Sequence, residues 1–149
     1  MNQPITPPKQ RTELGEALSA AAIEGELVLQ QCQSCDTVQY PPREICHHCL
    51  SDKLTWQSVD PSGKILAAVE LHHSYEAFFS SHLPWVIASI QLNCGPIVFA
   101  HIEKKAAQAG SPVTLFAHTD RSGQSVLIAA TEQSSKPDYP ALLKLLGFD

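Results

Sequence analysis

The sequence predicts a mainly β protein in which a metal-closed ribbon precedes a small closed barrel. Three observations predict it. Cys32, Cys35, Cys46 and Cys49 form two Cys-x-x-Cys knuckles with ten residues between them, a pattern that closes four thiolates around one tetrahedral ion. Between Lys64 and Thr131, five short runs rich in apolar and β-branched residues are separated by Gly, Pro, Asn and Asp, the punctuation of strands. Helical periodicity is confined to short stretches near the two ends.

The elements follow in order. Residues 1–26 form an arm and a helix. Residues 1–11 are polar and carry Pro4, Pro7 and Pro8. A short helix is expected from about Thr12 to Ala22, with Leu14 and Leu18 on one face and Gly25 ending it. Its apolar stripe is thin, so it needs a surface to lie on, in this chain or in a partner. Residues 27–59 form the ribbon. Leu27–Gln31 leads as a strand into the first knuckle, and Val38–Tyr40 is a second short strand. Pro41-Pro42 then stops the pairing, because proline cannot donate to a ladder. Ile45 enters the second knuckle, and Leu54, Trp56 and Val59 mark a strand leaving it. Pro61-Ser62-Gly63 reads as a turn.

Residues 60–136 form the barrel. Lys64–His72 alternates Ile65, Ala67, Val69 and Leu71 on one face. Trp85–Leu92 and Ile97–Glu103 are joined by the hairpin turn Asn93–Pro96. Pro112–Thr119 and Gln124–Thr131 are joined through Asp120–Gly123. Five strands in about 70 residues are too few for an immunoglobulin-type sandwich and suit a small closed barrel, of which the OB-fold is the commonest five-stranded form. The links His73–Pro84 and Lys104–Gly110 are expected at barrel ends. Residues 137–149 form a tail in which Tyr139–Leu146 reads as a short apolar helix ending at Gly147.

Composition narrows the function. With 15 acidic against 10 basic residues, the formal charge is −5. Nucleic acid is therefore disfavoured as a partner, since phosphate binding needs clustered Lys and Arg. No run approaches the roughly 20 apolar residues of a membrane span, and the N-terminus shows no apolar secretory region. Five cysteines, four of them in knuckles, fit metal-bound thiolates in a reducing compartment, the cytoplasm, better than a disulfide framework. Zinc is favoured over rubredoxin-like iron, an iron–sulfur cluster or disulfides.

The chemistry on offer is mostly structural. Four thiolates leave no open position for substrate, so the metal site is read as a structural zinc. His47 and His48 lie inside the second knuckle and are expected to face solvent. Cys94, in a turn, reads as an incidental thiol rather than a nucleophile. His72 and His73 are neighbours at a strand end and point to opposite faces. No hydrolase triad, metalloprotease motif, P-loop or glycine fingerprint appears. The segment HSYEAFFSSHLPW gathers Tyr75, Phe78, Phe79 and Trp85. It is either barrel core or a surface for a substrate or partner.

The order helix, C-x2-C-x10-C-x2-C with Pro-Pro between the knuckles, and OB-like barrel resembles a zinc-ribbon/OB-fold family of bacteria and archaea, the acyl-CoA-associated OB-fold proteins long known only as a domain of unknown function. The best-matched stretches are CQSCDTVQYPPREICHHC, SGKILAAVELHH, LPWVIASIQL and AGSPVTLFAH. The resemblance covers about residues 12–132. It implies zinc at Cys32, Cys35, Cys46 and Cys49, and an accessory role beside a thiolase-like or hydratase-like catalytic subunit in a hetero-oligomer, with acyl-CoA as a potential ligand. Catalytic residues would belong to the partner. The Tyr75–Phe79 link is more aromatic than the Pro/Gly-rich loop of the family. The leading expectation is a non-catalytic subunit of an acyl-transferring or carbon–carbon bond-forming complex, with Tyr75, Phe78, Phe79 and Trp85 facing substrate or partner. The alternatives are a free-standing acyl-CoA-binding protein and, further off, a nucleic-acid-binding module.

Overall fold

The computed structural model describes residues 5–9, 12–103 and 107–131. The apolar helix expected at Tyr139–Leu146 lies outside them. Helix α1 spans Glu13–Ala21. The Thr12 hydroxyl caps it, accepting from Gly15 N at 3.1 Å, and Glu13 and Glu16 complement the positive end of its dipole. The helix stops at Ala22, which is already extended, so Gly25 does not cap it. Gly25 instead adopts φ +80° where the chain turns onto the barrel. There it donates to Ala117 O at 2.8 Å, and Ala117 N donates back to Glu26 O at 3.0 Å. Leu18 lies on the main core and Ser19 bonds Gln124 at 3.2 Å, so the surface this thin helix needs is provided by its own chain.

The ribbon is a three-stranded antiparallel sheet. Strand β1 (Val28–Cys32) lies between β2 (Val38–Gln39) and β3 (Leu54–Ser58). Five further strands close the barrel: β4 (Ser62–Leu71), β5 (Trp85–Leu92), β6 (Ile97–His101), β7 (Pro112–Thr119) and β8 (Ser125–Thr131). Their order round the barrel is β4-β5-β6-β8-β7, with β7 returning to β4. Every pairing is antiparallel except β6 with β8. This is the OB arrangement expected from the sequence.

Two local readings are corrected. Ser62 and Gly63 are not a turn: they begin β4, pairing with Thr114 and Leu92, while the bend falls at Asp60, whose carboxylate accepts from Ser62 N at 2.9 Å. Gly63 is required there, because a Cβ would stand 2.6 Å from Gln91 O. The expected alternation Ile65, Ala67, Val69, Leu71 also fails. A β-bulge between Ile65 and Ala67 inserts an extra residue and swaps the faces beyond it. Ile65 and Ala68 turn inward, and Val69 and Leu71 end outside.

The main core fills the barrel with Ile65, Ile90, Leu92, Val98, Val113 and Leu115, and continues into the ribbon through Leu27, Leu29 and Val38. Ribbon and barrel thus share one apolar interior. A second cluster lies on the opposite face of the sheet. There the β4–β5 link, which carries the one-turn helix α2 (Ala77–Ser80), sets Phe78 and Trp85 against Ile128 and Ala130. The link therefore packs along a sheet face and not, as expected, at a barrel end.

Candidate metal centre and neighbouring aromatic cluster

The two knuckles share one backbone design. Cys32 and Cys46 each open a turn in which the residue four places on donates back to the cysteine carbonyl: Asp36 N to Cys32 O at 2.9 Å, Leu50 N to Cys46 O at 3.0 Å. Each first cysteine donates its own N–H to the residue five places on, Cys32 to Thr37 O at 2.9 Å and Cys46 to Ser51 O at 2.8 Å. Ser34 N and His48 N point at the sulfurs of Cys32 and Cys46, both at 3.4 Å. This geometry needs a left-handed residue after the second cysteine. Asp36 (φ 61°) and Leu50 (φ 64°) fill those places.

The four Sγ atoms lie within 4.8 Å of one another. The Cys32–Cys49 and Cys35–Cys46 separations are 3.5 and 3.6 Å. A zinc ion at about 2.3 Å from four tetrahedral thiolates sets sulfur–sulfur edges near 3.8 Å, so the quartet fits a tetrahedral metal. Cys32 and Cys46 are buried and Cys49 is exposed. The Thr37 hydroxyl, 3.2 Å from Cys35 Sγ, and the Thr37 N–H bring the Cys35 thiol down to about 5, ready to ligate as thiolate. At Cys49, a bond from the Ser51 N–H favours the thiolate, but local desolvation of the sulfur and the three neighbouring sulfurs outweigh it and push the thiol up to about 12. A cation at the centre would relieve that repulsion.

Two buried glutamines, which the sequence reading passed over, hold the segment between the knuckles. Gln39 Nε2 donates to Gln30 Oε1 at 2.9 Å, and Gln39 Oε1 accepts from His47 N at 3.0 Å. Gln30 clasps Arg43 through both backbone groups, Nε2 to Arg43 O at 3.1 Å and Arg43 N to Oε1 at 2.9 Å. His47 and His48 are solvent-exposed as expected. His47 Nδ1 nonetheless lies 3.0 Å from Gln39 Oε1, which ties the second knuckle to the sheet. Cys94 is half-buried against the main core in its turn; burial raises its thiol, which suits packing better than nucleophilic attack.

The structure brings together three of the four aromatic candidates. Phe78, 2% exposed, and Trp85, 4% exposed, pack edge-on at 5.8 Å, with Phe79 at 5.1 Å from Trp85. Tyr75 stands apart at 97% exposure, edge-on to His73 at 4.9 Å. The cluster also recruits His101, unremarked among the sequence's histidines. The Trp85 indole N–H donates to His101 Nδ1 at 2.9 Å. Beside it is an open cavity of about 180 Å³ between α1, the ribbon and the barrel, lined by Leu18, Tyr40, Phe99, His101, Ser125 and Leu127 among others.

Comparison with known proteins supports this architecture. Residues 19–55 match the family described as ChsH2, rubredoxin-like zinc ribbon domain. Over 100 residues, 64% of its length, the chain is 30% identical to a "Probable enoyl-CoA hydratase alpha subunit" of Thermomonospora curvata. It spans only 30% of that relative's length. A solved structure titled "Ltp2-ChsH2(DUF35) aldolase" superposes with a TM-score of 0.63 over 84% of this chain and 98% of the other, at 22% identity. The ribbon-and-barrel resemblance read from the sequence therefore holds.

Proposed function

We propose that the chain is a zinc-bound, non-catalytic subunit of a complex that processes acyl-CoA thioesters, seated beside a hydratase-like or thiolase-like catalytic chain. The observation that carries this reading is its likeness to a hydratase alpha subunit, on a fold whose four clustered thiols can close completely round one ion. Zinc held by Cys32, Cys35, Cys46 and Cys49 would supply cross-linking of the two knuckles, which is folding energy rather than chemistry. The ribbon (27–59) is then a rigid bracket on the barrel (60–136). Phe79 and Tyr75 are its aromatic groups offered to substrate or partner, while Phe78 and Trp85 pack against Phe79. The cysteines form no disulfide, which suits the reducing cytoplasm. The acidic charge argues against nucleic acid.

Co-expression with the products of the genes next to its own tests the proposal. A stoichiometric complex, more active than the catalytic chain alone, is expected. Two monodisperse proteins that do not associate, with full activity in the catalytic chain by itself, would overturn it.

A further inference from the structure

The barrel has a seam. Strands β6 and β8 run parallel and, among the described residues, pair at one position, His101 with Ile128. On the N-terminal side of that pair lies the cavity of about 180 Å³, lined from β6 by Phe99 and Ala100 and from β8 by Ser125, Val126 and Leu127. Leu18 of α1 and Tyr40 of the ribbon reach it from one side, and Phe99, Ser125 and Leu127 line it from the barrel. Three independent structural units therefore meet on one small hollow.

The cavity's chemistry is selective. Among the described residues lining it there is no Lys, Arg, Asp or Glu. His101 accepts from the Trp85 indole, a group that can only donate, so while this bond stands the imidazole is neutral, with its proton on Nε2. The described lining thus presents apolar carbon, a hydroxyl or two and a neutral ring, and among these residues none carries a fixed positive charge for a carboxylate or phosphate. An enclosed apolar cavity of about 150 Å³ takes up benzene; this hollow is of similar size but open to solvent and partly polar, with space for a group of about six carbons.

The surface leading to it carries several exposed apolar side chains among polar ones. The bulge in β4 turns Val69 and Leu71 outward, beside exposed Leu66. The cross-strand rows Ala67–Ser89–Phe99 and Lys64–Gln91–Ile97 continue this face, with Phe99 61% exposed. Lys64 is the one cation among the described residues of that face. A nucleotide with several phosphate charges is recognised by grouped Arg and Lys, which the described residues of this face do not provide.

We propose that the seam cavity receives the apolar acyl end of a thioester substrate, about six carbons long, and that the phosphates of the same molecule are held by a different chain. The proposal rests on the acyl-CoA reading above and divides the recognition of one ligand between two subunits. It gives Phe99 and Leu127 the role of acyl contacts, and Leu18 and Tyr40 that of walls set by the helix and the ribbon.

The test is a ¹⁵N NMR titration of the metal-loaded full chain with two probes: hexanoyl-N-acetylcysteamine, a thioester without nucleotide, and free CoA. The thioester is expected to shift the amides of Ala100, Ser125 and Leu127 saturably, while CoA leaves them in place. Two variants that fill the hollow from opposite walls, Ser125→Phe and Leu18→Phe, should weaken thioester binding at least tenfold with the remaining spectrum intact. The two walls keep the test readable if one variant misfolds. Absence of a saturable shift, shifts confined to other residues, or an equal response to CoA would overturn the proposal. Association with the catalytic chain, measured on the same samples, separates the two ideas. Intact association without thioester binding sinks the cavity assignment alone, and thioester binding without association sustains it while removing the subunit reading.

Discussion

Leu50 is a left-handed residue with a bulky side chain, 70% exposed, at the position where the second knuckle needs positive φ. Left-handed backbone costs an L-residue about 1 kcal/mol or more. Leu50→Gly should therefore raise stability by about 1 kcal/mol, read as a higher denaturation midpoint with metal binding unchanged. Gln39 is the reverse case. Its amide is buried and bonds Gln30, Ile45 O and His47 N. Gln39→Leu strands those partners and should cost about 1–3 kcal/mol, checked by urea unfolding. The cysteines were legible because a ligand set is written in spacing alone. The glutamines were not, because a polar residue that anchors a loop reads the same in sequence as one that faces water. His101 was obscured for the same reason: its importance comes from Trp85, sixteen residues away in sequence and across a strand pair.

At the scale of elements, strands bounded by turn residues were legible nearly to the residue. Trp85–Leu92 and Pro112–Thr119 match the expected runs. Strand β4 was harder. Its hydrophobic alternation is regular in sequence, but the bulge after Ile65 makes the physical period irregular, and nothing in the residue types marks the extra one. The consequence is at the surface, since the bulge is what presents Val69 and Leu71 to solvent. At its start, Gly63 permits β4 and β5 to approach so closely that a methyl group meets Gln91 O. Gly63→Ala should cost about 1–3 kcal/mol, with the loss appearing in thermal unfolding of the whole chain. The loop before β5 also held more order than its composition announced: α2 forms a single turn because Phe78 and Trp85 bury each other against Ile128 and Ala130.

Across the whole molecule, ribbon and barrel behave as one body. Leu27 and Leu29 of the ribbon sit in the barrel's core, Val59 N bonds Leu27 O at 2.9 Å, and the Gly25–Glu26 segment is bonded to β7 at Ala117. The metal centre should consequently stabilise more than its own two turns. Chelation is expected to lower the melting temperature of the entire chain by more than about 10 °C, in a single transition. A ribbon that melted alone, leaving the barrel transition in place, would show that the shared core does not couple them. The central claim is that the four cysteines are scaffold for assembly and take no part in a chemical step. It is tested most directly by light scattering, metal analysis and turnover on wild type and Cys35→Ser mixed with the catalytic chain. The account predicts one metal ion per wild-type chain and a hetero-complex, with metal and assembly lost together in the variant. A Cys35→Ser chain that stayed folded, kept its metal and assembled, yet lost turnover, would contradict it.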